Sequence, residues 1–459
     1  MSNNEKKQVA NFGSRFGYIM VAAGAAIGLG NIWKFPYLAY GGGGGAFIIV
    51  YLIMAIILGH PVLEMESAIG RYAKTNAIDA YGVVNPKWKF AGAVQVVCTI
   101  MIDMYYIIVS GYCLKYAITF LLGGNFGADK EAFYMSFISD PIYPLIYAGL
   151  LMLITVILLA GGITELVEKV TKVIMPLLFV LLVACGIWAL IKIPGAVDGL
   201  KFYLIPNMNN LTWKTVSDAA VQIMFSVGIG WTIFVTLGAS MSDGANIRKD
   251  SMMVTLCDTT VALTAGFVII PSVVGSGMEM SAGPHLIFLA MTEIFGQMPG
   301  GNIIGFFFFM ALIFAVLSTY FTVLEIPVKC LEEKAHMSHK KATWIMAGII
   351  MIGGVFCSLS QGTGLLSGVK LPFWNFQTGI VYYNIYDWVD CFSAYILLPI
   401  GCLLTAFYVS KVWGFEAYEK ELTKDGRDGR LSKYDRFICK YVVPVLVVII
   451  ILNVFGFIQ

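Results

Sequence analysis

Four carboxylates stand where a long apolar stretch normally excludes charge: Asp103 in Ile102-Asp103-Met104-Tyr105-Tyr106, Asp258 in Leu256-Cys257-Asp258-Thr259-Thr260, Glu325, and Asp390 three residues after Asp387. A carboxylate in apolar surroundings is costly, so each one pairs structurally, carries a proton, or serves a ligand or ion pathway. Two adjacent hydroxyls, Ser318 and Thr319, follow Ala315 in another apolar stretch. Hydroxyls of this kind commonly bond back onto their own helix. Beside an interrupted helix they would instead join its freed carbonyls in a five-oxygen set suited to sodium, without any carboxylate.

Two glycine clusters are candidates for such an interruption: Gly24-Ala25-Ala26-Ile27-Gly28-Leu29-Gly30-Asn31 and Phe225-Ser226-Val227-Gly228-Ile229-Gly230-Trp231-Thr232. Each glycine costs about 1 kcal/mol against alanine inside a helix. A break at membrane depth frees backbone groups that a ligand or ion must satisfy. One G-x-G alone also fits close helix packing. Two clusters in corresponding spans point to an inverted-repeat transporter with its site between the repeats.

The elements that must position these residues follow from composition. The chain has 459 residues, 58% apolar and 13% charged, against about 25% charged in a soluble domain. Its mean hydropathy is +0.80, which excludes a water-soluble enzyme and makes the bilayer the second solvent. Apolar segments lie at about 13–38, 44–70, 90–123, 142–160, 164–191, 216–240, 252–277, 302–331, 343–360, 389–413 and 438–458. Eleven spans place the termini on opposite sides. With the N-terminus inside, 23 of the 30 Lys and Arg fall on the cytoplasmic side, as the positive-inside rule requires. The C-terminus is then extracellular.

The even loops are short and basic and read as a solvated face held by lipid headgroups. The odd loops, 124–141, 192–215, 278–301 and 361–388, read as packed caps or lids. The glycine run 41–45 reads as a flexible turn. Net charge is +2, so nothing in the balance indicates nucleic acid. Nine cysteines without a C-x-x-C pair indicate neither a disulfide framework nor a zinc site. The polar start, Met1 to Asn11, shows no cleaved signal peptide. His60 and Glu64 lie four apart but form no H-E-x-x-H, and no phosphate-cradling G-x-x-x-x-G-K-[ST] is present. Enzyme chemistry and ATP-driven pumping therefore find no support.

The strings Gly28-Leu29-Gly30-Asn31-Ile32-Trp33-Lys34-Phe35-Pro36-Tyr37, Gly70-Arg71-Tyr72, Phe225-Ser226-Val227-Gly228-Ile229-Gly230 and Arg248-Lys249-Asp250 resemble the neurotransmitter:sodium symporters, specifically their bacterial amino-acid branch. The resemblance covers roughly residues 10 to 455. It implies an all-α membrane protein of eleven helices, a leucine-transporter-like fold with a 5+5 inverted repeat and broken helices 1 and 6. The implied division is 1–12 as a cytoplasmic segment, 13–191 as the first repeat, 192–413 as extracellular loop 3 and the second repeat, and 414–459 as a cytoplasmic loop and helix 11.

By the same resemblance, a first sodium ion takes oxygens of Ala26, Asn31, Ser226 and Asp258 with the substrate carboxylate. A second takes backbone oxygens of Gly24, Ile27 and Ala315 with the hydroxyls of Ser318 and Thr319. Asp258 departs from the family's usual Asn. Chloride-dependent members have a Ser one turn later, where this chain has Ala262, although Tyr51, Gln222 and Ser226 of that anion site are kept. A carboxylate at Asp258 would replace the anion's charge, so chloride-independent transport is expected.

Gly28 stands where monoamine members have an Asp, leaving room for a substrate carboxylate and implying an α-amino acid. That carboxylate would meet the N–H groups of Leu29 and Gly30 and the hydroxyl of Tyr106; the ammonium would meet carbonyls of Ala26, Phe225 and Ser226, with Ala25 and Gly230 close by. The side-chain pocket would be Ile102, Asp103, Phe225, Gly228, Trp231, Thr319, Tyr320 and Val323. Asp103 departs from the family's small apolar residue, and either a ring hydroxyl or indole N–H donates to it or a cationic side chain pairs with it. Lys34 and Asp390 match the outer gate, with Lys for the usual Arg, over a lid of Phe225 and Tyr106. Glu333 matches the acidic partner of the inner gate. The family's N-terminal Arg falls at Val9, leaving Lys6 or Lys7 as substitutes.

The expectation is a sodium-driven symporter in a cell membrane, taking an amino acid that is hydrophobic or aromatic and possibly hydroxylated, by alternating access. The rivals are a cationic substrate, proton coupling on the same fold, and a non-transporting sensor. No soluble signalling domain accompanies the spans, which argues against the sensor.

Overall fold

The computed structural model describes residues 15–161, 164–277, 285–375, 377–424, 426 and 430–457. The N-terminal segment 1–12, with Lys6, Lys7 and Val9, lies outside them. Eight helices among the described residues are long and apolar enough to cross a bilayer: Gly45–Ala73, Pro86–Leu121, Tyr143–Ala160, Ile247–Gly275, Gly301–Ala335, His339–Leu359, Ile385–Trp413 and Lys433–Val454. A ninth is the pair Arg15–Ala26 and Gly30–Gly41, bent by 54° at its break. Helix Thr164–Lys192, with Pro176 inside it, and the interrupted pair Trp213–Val227 and Ile233–Ala239 stand at the expected fifth and sixth positions. Spans are numbered below in that order.

The first break falls where the glycine cluster placed it. The second is shorter than expected: Phe225 and Ser226 still belong to the helix, and the chain leaves it at Gly228. Three residues of the following five have left-handed backbone, Gly228 (φ +87°), Gly230 (φ +85°) and Thr232 (φ +67°). A β-branched residue pays about 1–2 kcal/mol for that conformation. At Gly230 no side chain fits, because a Cβ would lie 2.5 Å from the Leu398 carbonyl oxygen of the tenth span. The first span packs on the fifth, seventh and eighth, and the third packs on the eighth, so both breaks face one interior.

Several expectations change. The seventh span begins at Ile247 rather than at about 252, which puts Asp258 well inside it. The glycine run 41–45 is a packed turn: a Cβ on Gly44 (φ +61°) would lie 2.1 Å from the Phe202 carbonyl oxygen. The odd loops hold helices Lys130–Ser139, Ala196–Leu204 and His285–Gln297. The last of these loops holds a hairpin instead, β1 (Leu371–Asn375) against β2 (Gly379–Tyr383), so the protein is not purely helical.

The basic face expected to be cytoplasmic is partly buried and paired rather than simply solvated. Arg71 is fully buried, donating through Nε to Glu421 at 2.6 Å and through Nη1 to the Ala245 carbonyl at 2.7 Å. Arg248 bonds Glu64 at 2.9 Å, and Tyr418 donates to the same carboxylate at 2.8 Å.

Candidate functional site

The first break brings its freed groups to Asn31 of its own span and to side chains of two others. Gly28 N–H donates to Asn31 Oδ1 (3.1 Å), Leu29 N–H to the Tyr106 hydroxyl (3.3 Å), and Gln222 Nε2 to the Gly30 carbonyl (3.1 Å). Asn31 Nδ2 in turn donates to Asp258 Oδ1 at 2.6 Å, while Ser226 Oγ lies 2.9 and 2.8 Å from the two carboxylate oxygens. Asn31, Ser226 and Asp258 therefore form one contact set drawn from spans one, six and seven. All three are buried. Ala25 and Ala26, in the last turn before the break, are buried beside it.

A second oxygen cluster surrounds Thr319 Oγ1. The carbonyl oxygens of Gly24 (3.0 Å), Ala315 (3.2 Å) and Ile27 (3.4 Å) all converge on it. One hydroxyl has one hydrogen, so it satisfies at most one of the three carbonyls at a time. Oxygen-only clusters at an unwound helix end are the donor set that a hard cation such as sodium takes. Ser318, adjacent in sequence, is buried.

Between these clusters lies an aromatic-lined interior. Tyr106 and Tyr320 stack with centroids 6.2 Å apart, Phe225 and Trp231 with centroids 6.0 Å apart. A Cβ on Gly28 would lie 2.7 Å from the Tyr106 hydroxyl, and one on Gly30 2.6 Å from the Phe225 ring. A side chain at either position would have to displace the Tyr106 hydroxyl or the Phe225 ring. Gly228 lies beside Ile233 and the Trp231 indole. Asp103 is 1% exposed; its carbonyl accepts from Tyr320 at 3.3 Å, and its Oδ2 has no partner among the described residues. Ile102 and Val323 are buried on the third and eighth spans.

At the end expected to face outward, Lys34 Nζ lies 3.4 Å from Asp390 Oδ1 and 4.7 Å above the Phe225 ring. The pair expected as outer gate is therefore formed over the expected lid. Lys130 and Glu293 join two loop helices near this face, and the lysine hydrogen bond holds the Glu293 carboxyl below its usual range. At the end expected to face inward, Glu333 accepts from Thr75 Oγ1 at 3.0 Å and from Asn76. Arg15 bonds Asp250 at 2.6 Å. Glu325 lies 3.6 Å from both Lys329 and His339, and His60 3.9 Å from Glu64; both carboxylates are paired structurally.

Two residues that sequence reasoning missed hold the second break. Glu66 of the second span, fully buried, accepts from Gly230 N–H at 2.8 Å. Thr99 of the third donates to the Trp231 carbonyl at 2.6 Å. A second carboxylate in the His60–Glu66 stretch, after Glu64, was the available signal for Glu66.

Two interrupted membrane helices facing two oxygen clusters define a secondary transporter with its site at the breaks. Comparison with known proteins narrows that class. The chain matches the sodium:neurotransmitter symporter family over residues 9–123 and 142–459, and it belongs to that family. It is 32% identical over 459 residues to the uncharacterized sodium-dependent transporter YhdH of Bacillus subtilis, covering 99% of each chain. A sodium-dependent transporter of Haemophilus influenzae is 29% identical, with 98% of this chain and 99% of that one covered. The crystal structure of MhsT in complex with L-phenylalanine superposes with a TM-score of 0.89 at 31% identity, over 97% of this chain and 100% of that one. The protein is accordingly a multi-pass membrane transporter that couples to sodium, and not an enzyme.

Proposed function

We propose that this chain imports an α-amino acid with sodium, without chloride, by alternating access of the broken helices. The observation that carries the reading is the contact set of Asn31, Ser226 and Asp258 across both breaks. There a sodium ion would sit between the Asp258 carboxylate, Asn31, Ser226, the Ala26 carbonyl and the substrate carboxylate. A second ion would occupy the Thr319 cluster with Ser318. The substrate carboxylate would face the Leu29 and Gly30 N–H groups at the start of the outer half-helix, and the ammonium the carbonyls that end the inner halves, as half-helix polarity favours.

Gly28 supports an amino acid over a bare amine, because it has no side chain to occupy the carboxylate's place. Asp258 supports chloride independence, because a fixed carboxylate already balances cation charge and Ala262, one turn away, brings no donor. Residues 13–191 and 192–413 would form the two inverted repeats, each opening on an interrupted helix, with the N-terminus cytoplasmic and the C-terminus outside. Lys34 and Asp390 would close the outer path above Phe225 and Tyr106, and Glu333 would serve the inner one.

Counterflow of a panel of labelled amino acids in proteoliposomes tests this reading. Exchange of at least one amino acid in sodium chloride and equally in sodium gluconate, with none in choline chloride, is expected. Exchange in choline driven by a pH gradient would replace sodium by protons, and its loss in gluconate would remove the chloride-independent part.

A further inference from the structure

Among the residues expected to line the side-chain pocket, two buried polar groups have no hydrogen-bond partner among the described residues. Thr99, Asp103 and Tyr106 recur at intervals of four and three on the third span and so share one face. Thr99 reaches the second break at the Trp231 carbonyl, and Tyr106 reaches the first at Leu29 N–H. Asp103 lies between them on that face. Among the described residues its buried Oδ2 has no hydrogen-bond partner, and the buried Trp231 indole Nε1 has none either. The backbone is held at both residues. Tyr320 donates to the Asp103 carbonyl, and Trp231 stacks on Phe225 with its own carbonyl held by Thr99.

A buried donor and a buried acceptor left unmade are each costly, and native proteins rarely keep them without a purpose. Their polarities are complementary, one carboxyl oxygen and one N–H. The group that answers both at once is a hydroxyl, which donates one hydrogen and accepts on its lone pairs. An ammonium or guanidinium offers only donors, so it serves the carboxylate and leaves the indole N–H facing a cation. A hydrocarbon side chain leaves both unpaired.

Resting on the amino-acid symport reading above, we propose that Asp103 and Trp231 form a polar recognition pair that selects an amino acid whose side chain carries a hydroxyl. The hydroxyl donates to the Asp103 carboxyl and accepts from the Trp231 indole. Pockets built to bond a substrate hydroxyl reject the analogue without it far more strongly than apolar pockets resolve a methylene. The preference is therefore a property of this pair, not of pocket volume.

The test uses side chains matched in size: L-tyrosine against L-phenylalanine, and L-threonine against L-valine, with L-lysine as the cationic competitor. Each is measured by sodium-dependent displacement of a bound labelled amino acid from the full-length purified chain. The wild type is expected to favour the hydroxyl member of at least one pair about tenfold or more. Asp103→Ala should bring that ratio to near one. Trp231→Phe, which keeps a ring but loses the N–H, should lower it partway. Because the readout is a ratio within one variant, a general loss of affinity does not imitate the effect. If Asp103→Ala fails to fold, the wild-type ratios and Trp231→Phe still decide. A wild-type ratio near one in both pairs, a ratio that survives Asp103→Ala, or lysine as the tightest ligand would overturn the inference while leaving amino-acid symport standing. Absence of sodium-dependent binding of any amino acid would overturn the symport reading and this inference together.

Discussion

Replacing Asp258 by Asn removes a charge while nearly preserving shape, and the structure sets the size of the effect. The Asp258 carboxylate accepts from Asn31 Nδ2 at 2.6 Å and from Ser226 Oγ at 2.8 Å, with no solvent exposure. Hydrogen bonds to a charged group are worth about 1.5–3 kcal/mol against about 0.5–1.5 kcal/mol for neutral ones, so about 1 kcal/mol is lost at each of the two. A sodium ion in contact with the carboxylate loses further attraction, about 4 kcal/mol at 4 Å with an effective dielectric constant near 20, much of it offset by easier desolvation. The net expectation is a loss of about 1.4–2.8 kcal/mol, or about 10- to 100-fold in apparent sodium affinity. Amino-acid binding titrated with sodium at constant ionic strength measures it through the half-saturating concentration. A value within twofold of wild type would refute the assignment of Asp258 to the ion. Because Asn is the usual residue of the family at this position, the variant should fold.

Three further outcomes follow from the same geometry. Glu66→Ala leaves the Gly230 N–H without its 2.8 Å acceptor and should cost about 1–3 kcal/mol, seen as a lower melting temperature and slower exchange, whereas Glu66→Gln keeps an acceptor and recovers most of both. Lys34→Ala opens the 3.4 Å pair with Asp390 and should speed substrate dissociation, while Lys34→Arg restores a two-pronged bond and should slow it below wild type in a dissociation assay. The Lys130 bond depresses the Glu293 carboxyl, so that ion pair is fully present above the ordinary glutamate range and is lost as pH falls through the depressed value. Spin labels on helices Lys130–Ser139 and His285–Gln297 should keep their separation from neutral pH to about 5 and move apart only below the ordinary glutamate range. Lys130→Ala should show the longer distance throughout.

Much of this site is legible in the sequence because membrane burial makes its chemistry conspicuous. Glycines beside Asn31 and Ser226, hydroxyls after Ala315 and Asp258 inside an apolar run each break a rule that lipid enforces. The Lys34–Asp390 contact follows from the family resemblance. Glu66 escaped because its role depends on the Gly230 N–H, a donor that exists only once the sixth helix is broken. Thr99 escaped for the same reason: a hydroxyl in a helix ordinarily turns to its own backbone, and here it also reaches across to Trp231. The buried pairing of Arg71 with Glu421 joins residues 350 apart, which charge counting by loop cannot see. The hairpin at 371–383 was hidden because its outward positions, Pro372, Trp374, Ile380 and Tyr382, are apolar and exposed, so alternation carries no polar phase.

The central claim is that one sodium ion and the amino-acid carboxylate share the Asn31, Ser226 and Asp258 site. If they do, each strengthens the other by the same factor, since linkage is reciprocal. The direct measurement is a two-way titration of purified protein, sodium affinity at several amino-acid concentrations and amino-acid affinity at several sodium concentrations. The account predicts equal factors, about tenfold or more in both directions, and a marked reduction of both in Asp258→Asn. Sodium and amino acid binding independently, with affinities that do not shift, would contradict it.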